Sequence, residues 1–136
     1  MPFVADASIV LAWAFDETHP LAISARERIR TEEAVVPSLW WFELRNALVI
    51  GERRGRLTEN DTALFLRSLS RLAVRVDGMP DEATVLTLPR RHRLTVYDAA
   101  YLELALRKAL PLVTLDAALA SATGSEGVRL IGDDAA

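Results

Sequence analysis

Five short apolar runs punctuate the chain: Phe3-Val4-Ala5, Ala34-Val35-Val36, Ala73 to Val76, Leu112-Val113-Thr114 and Val128 to Ile131. Each is bounded by polar or turn-forming residues and reads as a buried strand. The segments between them are helical in period. One helical stretch starts at Ser8, and another near His19-Pro20. Two more, roughly Ser38 to Arg54 and Thr58 to Leu72, meet at Gly55, with Thr58 as the N-cap. A further pair covers about Asp81 to His92 and Val96 to Ala109, the second capped by Thr95 and stopped before Pro111. Parallel strands need crossover helices, and those helices need a face to bury, so the alternation predicts an α/β fold with an open, mostly parallel sheet of five strands covered on both sides.

The chain has 136 residues, and no repeat, linker or low-complexity segment interrupts it, so residues 1–132 are expected to form one domain. Gly132 opens a small polar tail, and residues 133–136 read as a frayed terminus. A chain of this length buries about 68 to 70% of its unfolded surface, enough for a core without covalent staples. It has no Cys, which removes disulfides, thiol nucleophiles and thiolate metal sites. The two histidines, His19 and His92, sit near helix ends and are given no catalytic role. Any catalysis must lean on carboxylates.

The apolar run from Ala7 to Phe15 lies between Asp6 and Asp16 with no basic residue before it, unlike a secretory leader. Nothing approaches the roughly 18 to 20 apolar residues of a membrane span, so a cytoplasmic protein without a membrane association is expected. No Gly-rich turn follows the first strand, which sets aside phosphate-loop and dinucleotide-binding folds. The net charge of −3 weighs against a polyanionic partner, but Arg53, Arg54 and Arg56, and again Arg90, Arg91 and Arg93, form local basic patches.

Four carboxylates stand out by position. Asp6 directly follows the first strand and Asp116 closely follows the fourth, so both should emerge at the carboxyl edge of the sheet, where parallel α/β folds gather their functional groups. Glu43, in Leu39-Trp40-Trp41-Phe42-Glu43-Leu44, and Asp98, in Val96-Tyr97-Asp98-Ala99-Ala100-Tyr101, have apolar neighbours on most sides. Singly, each has an ordinary explanation. Asp6 and Asp116 suit helix N-caps, Asp98 lies three residues after Thr95 in a near-capping box, and Glu43 is within reach of Arg45. Together they pose an electrostatic problem, because two carboxylates about 4 to 6 Å apart repel by roughly 3 to 4 kcal/mol at an effective dielectric of 20. Several such pairs would rival a total stability of about 5 to 15 kcal/mol. Protonation relieves this, and so does a divalent cation. An all-oxygen set without His or Cys selects Mg²⁺ or Mn²⁺.

The ordered set Asp6-Ala7-Ser8, Val36-Pro37-Ser38-Leu39 leading to Glu43 and Asn46, Leu94-Thr95-Val96-Tyr97-Asp98-Ala99-Ala100-Tyr101-Leu102-Glu103-Leu104-Ala105, and Leu112-Val113-Thr114-Leu115-Asp116 resembles the PIN-domain nucleases, and within them the VapC-type ribonuclease toxins. The resemblance runs along essentially the whole chain. It implies a three-layer α/β/α sandwich, Mg²⁺- or Mn²⁺-dependent cleavage of single-stranded or looped RNA, a cognate antitoxin protein and a homodimer. It places Asp6, Glu43, Asp98 and Asp116 in the metal site, with Ser8, Asn46 and Thr114 as accompanying groups that orient ligands or substrate. Some relatives carry a further acid just after the fourth position, where this chain has Ala117 to Ala120.

Core packing is expected to absorb at least two of Trp40, Trp41 and Phe42, with any exposed ring available to a protein partner or to stacked bases. A receiver-like Mg²⁺-binding signalling domain also puts acids at strand ends, but it needs a Lys after its last strand, and Lys108 is the only lysine and lies in a helical stretch. A catalytically silent binding module, its acids serving only as caps, is the remaining alternative.

Overall fold

The computed structural model describes residues 1–132; the tail at 133–136 lies outside the described residues. The chain runs β1 (Phe3–Ala5), α1 (Ala7–Ala14), α2 (Pro20–Arg28), β2 (Ala34–Val36), α3 (Leu39–Arg53), α4 (Glu59–Leu69), β3 (Val74–Val76), α5 (Glu82–His92), α6 (Val96–Lys108), β4 (Leu112–Val113) and α7 (Ala117–Ser125). All strand pairs are parallel, in the order β3-β2-β1-β4. Val4 pairs with Val35 on one side and Leu112 on the other.

The pleat sorts side chains to opposite faces. Phe3, Ala5, Ala34 and Val113 pack with Ile9, Ala25 and Ile29 from α1 and α2. Val4, Val35 and Leu112 pack with Leu44, Leu48, Tyr101, Leu102 and Leu119 from α3, α6 and α7. Helices thus cover both faces of an α/β sheet that is buried through β1 and β2. No helix among the described residues is long and apolar enough to cross a membrane.

Among the described residues the sheet has four strands, not five. Val128 to Ile131 contributes one parallel bridge, Leu112 to Leu130, flanked by the Leu112 N–H to Arg129 C=O and Ile131 N–H to Leu112 C=O bonds of 3.0 and 2.9 Å. The cause is local: Gly127 (φ +75°) and Gly132 (φ +109°) turn the chain on both sides of the run. At Gly132 the positive φ is what favours glycine, and a Cβ there would also displace the tip of the Leu21 side chain. The order also differs from a receiver, whose sheet runs 2-1-3-4-5, and Lys108 ends α6 beside Asp77 at 3.7 Å.

Helix ends follow the sequence signals. Thr58 and Asp61 form a reciprocal capping box, with bonds of 3.0 and 2.9 Å, and the Thr95 and Asp81 side chains cap α6 and α5. On α3 the buried positions Trp40, Leu44 and Leu48 recur every four residues. Trp41 and Phe42 fall outside that stripe and are 44% and 68% exposed, so the core takes one ring of the three rather than two.

Candidate active site

The chain builds outward from β1 through β2 to β3, then crosses back to lay β4 on the other side of β1. The reversal of winding therefore falls between β1 and β4, and the crevice at their carboxyl ends is where such sheets hold ligands. Asp6 leaves β1 there, and Thr114 and Asp116 leave β4.

Asp6 occupies the backbone N-cap position of α1, yet its side chain makes no capping bond. Its Oδ2 instead accepts from the Ser8 hydroxyl at 2.8 Å and the Thr114 hydroxyl at 2.7 Å. Each hydroxyl is aimed by the backbone, because Ser8 Oγ accepts the Leu115 N–H and Thr114 Oγ1 accepts the Asp116 N–H, both at 3.0 Å. With their lone pairs so engaged, both protons point at the carboxylate. Burial nevertheless pushes the Asp6 pKa up; the Thr114 and Ser8 hydroxyls and the Ala7 amide oppose this, and the charge of Asp116 adds to it.

Asp116 does cap its helix, Oδ1 accepting the Ala118 and Leu119 N–H groups at 2.8 and 3.1 Å. Glu43, on α3, finds no arginine. Arg45 stacks over the Trp41 ring at 3.8 Å and donates to the Trp41 C=O. Glu43 Oε1 accepts instead from the Tyr101 hydroxyl at 2.6 Å. Burial raises its pKa, the Tyr101 bond works against that, and Asp6 and Asp98 raise it further. Asp98, in the first turn of α6, is raised by burial, then by Asp116 and Asp6, with Thr95 opposing.

Residues 6, 43, 98 and 116 come from four separate segments, with Asp6 within electrostatic reach of Glu43, Asp98 and Asp116, and Asp98 within reach of Glu43 and Asp116. Among the described residues none of the four takes part in an ion pair. The donor set suits a hard cation, though no three His, Cys, Asp or Glu side chains among the described residues stand close enough together to ligate one ion as placed. Of the accompanying residues, Ser8 and Thr114 are joined to Asp6, whereas Asn46, one turn beyond Glu43, is exposed.

Two polar features were not foreseen from sequence. Tyr101 reaches the acid cluster, a placement its i+3 spacing from Asp98 on a helix could have signalled. Glu103, 1% exposed, forms a two-bond pair with Arg107 (2.7 and 3.0 Å), which also reaches Asp77 at 2.6 Å; the Glu103 carboxylate further accepts the Asp81 N–H at 3.2 Å. This network holds the end of β3 and the start of α5 against α6. The expected Arg patches are exposed; Arg56 lies over Phe15 and pairs with Glu17, and Arg91 pairs with Glu126.

The fold and its acidic crevice define a class of α/β protein with a known family pattern. Residues 3–124 match the PIN domain, and the chain belongs to that family. Among solved structures, a protein of Pyrobaculum aerophilum is similar at 26% identity and a TM-score of 0.72, over 90% of this chain and 85% of that one. A toxin–antitoxin complex from Klebsiella pneumoniae aligns at 18% identity and TM-score 0.58, over 84% of this chain and 86% of that one. VapBC2 from Rickettsia felis, bound to a promoter DNA fragment, aligns at 16% and 0.60, over 85% and 88%. At these last identities the likeness is one of fold. No curated protein sequence matches the chain.

Proposed function

We propose that the protein is a Mg²⁺- or Mn²⁺-dependent endoribonuclease acting as the toxin of a toxin–antitoxin pair. The observation that carries this reading is the Asp6 carboxylate, aimed by the Ser8 and Thr114 hydroxyls at the switch point of a PIN-family sheet, with Glu43, Asp98 and Asp116 close enough to influence it or one another and, among the described residues, in no ion pair. Asp6 and Asp98 would hold the cation, and Asp116 and Glu43 would complete its surroundings. When bound, such a cation lowers the pKa of a water and offsets charge on a scissile phosphate. The residues around it do the rest. Ser8 and Thr114 fix the Asp6 carboxylate by one oxygen, and Asn46, exposed one turn beyond Glu43, would orient the substrate. The α7 amides hold Asp116 by one oxygen in the same way. No protein nucleophile is required.

One dication would bring the formal charge from −3 to −1, and two would bring it to +1, easing the approach of RNA. That relatives of this fold include a toxin–antitoxin complex and VapBC2 supports an antitoxin partner. A homodimer and a cytoplasmic setting belong to the same proposal. Purified protein should cut RNA with Mn²⁺ or Mg²⁺ and stop with chelator. Asp6→Asn and Asp98→Asn should fold and lose cleavage; activity kept in either variant sinks the assignment.

A further inference from the structure

Tyr101 brings a neutral hydrogen-bond donor into a cluster of acids. It lies on α6 three residues beyond Asp98, is fully buried, and spans 58 residues of sequence to donate to Glu43 Oε1 at 2.6 Å. Burial, then Glu43 and Asp6, push its pKa up, in keeping with a hydroxyl that donates. A phenylalanine would fill the same volume, and an unbonded hydroxyl at this depth is unfavourable; the hydroxyl therefore has its reason in its partner. Asp6 is fixed by two hydroxyls and Asp116 by helix amides, while Glu43 has the longest side chain of the four acids and gets its hydrogen bond from Tyr101.

We propose that Tyr101 is a positioning residue that holds the Glu43 carboxylate by one oxygen, leaving the other for the cation-binding space shared with Asp6 and Asp98. This rests on the nuclease reading above. The test uses the full chain as wild type, Tyr101→Phe, Glu43→Gln and the double variant, with Mn²⁺ titrated against the thermal midpoint and, separately, against RNA cleavage. The Mn²⁺ concentration giving half the thermal shift should rise about 10-fold in Y101F, as for loss of an outer-shell partner. It should rise no further when Y101F is added to E43Q. A Y101F midpoint equal to wild type, or an effect that persists in the E43Q background, overturns the proposal. A crystal structure of metal-free Y101F gives a readout independent of metal and activity: the Glu43 carboxylate should leave its wild-type position, and a Glu43 that stays put overturns the positioning role. If the wild type neither gains stability with Mn²⁺ nor cuts RNA, the nuclease reading fails, while that structure still decides the role of Tyr101.

Discussion

Asp6 commits one carboxylate oxygen to two hydroxyls, and the two are not equivalent. Ser8 is a near neighbour on the same chain segment, whereas Thr114 reaches over from β4 and simultaneously takes the Asp116 N–H. Removing the Thr114 hydroxyl thus disturbs two acids at once. Thr114→Val should weaken Mn²⁺ binding about 10-fold by thermal-shift titration. It should also cost roughly 1 to 3 kcal/mol in urea denaturation, because the Asp116 N–H loses its side-chain partner and Asp6 Oδ2 keeps only the Ser8 hydroxyl. Unchanged metal affinity would mean that Asp6 is not a ligand. At this scale the sequence was readable where strands end: Asp6, Thr114 and Asp116 follow apolar runs, and the sheet decides where they go. Glu103 was unreadable because α6 is buried at every position from 99 to 105, so a polar residue there breaks no periodic pattern, and for Tyr101 only its i+3 spacing from Asp98 gave a signal.

Elements were legible wherever local signals agreed with burial. Caps at Thr58, Asp81 and Thr95 coincide with helix starts, and β1 and β2 match their apolar runs. The fifth run misled because apolar content marks burial, not pairing: Leu130 and Ile131 enter the core as a bridge and a turn. The same scale holds the Glu103–Arg107–Asp77 network. Arg107 is 34% exposed at its side chain and Glu103 only 2%, so the losses are unequal. Arg107→Ala leaves a buried carboxylate uncompensated and should destabilise by about 3 to 5 kcal/mol. Adding Glu103→Gln should recover part of that loss in urea melts. A double variant less stable than R107A alone would show that the carboxylate is not the source of the cost.

Crowded acids give the whole molecule a pH signature. A carboxyl whose folded pKa exceeds its unfolded one binds its proton better in the native state, so its contribution is present below the unfolded value and is lost as pH rises through the folded one. Asp6, Glu43 and Asp98 are of this kind, against ordinary values of 3.8 and 4.5. Asp77, Asp81 and Glu126 are held low by Arg107, Thr84 and His92 with their neighbours; their contribution is present above the unfolded value and lost as pH falls through the folded one. Metal-free protein should therefore gain thermal stability as pH falls through the raised folded values of Asp6, Glu43 and Asp98 toward their ordinary 3.8 and 4.5, and lose it on further acidification through the depressed values of Asp77, Asp81 and Glu126. Saturating Mn²⁺ should flatten the first limb by holding the acids charged. A midpoint that falls steadily as pH is lowered toward those ordinary values without metal would show that burial and the neighbouring acids do not raise these carboxyls in the folded protein.

The crevice draws on residues 6, 43, 98 and 116, and its closing strand, β4, pairs with β1 across more than a hundred positions of sequence. A chain still emerging from the ribosome has no such crevice until β4 and Asp116 are out. Whatever work these acids perform is thus withheld until that pairing forms, and a local opening that frees β4 in the folded protein would switch it off again.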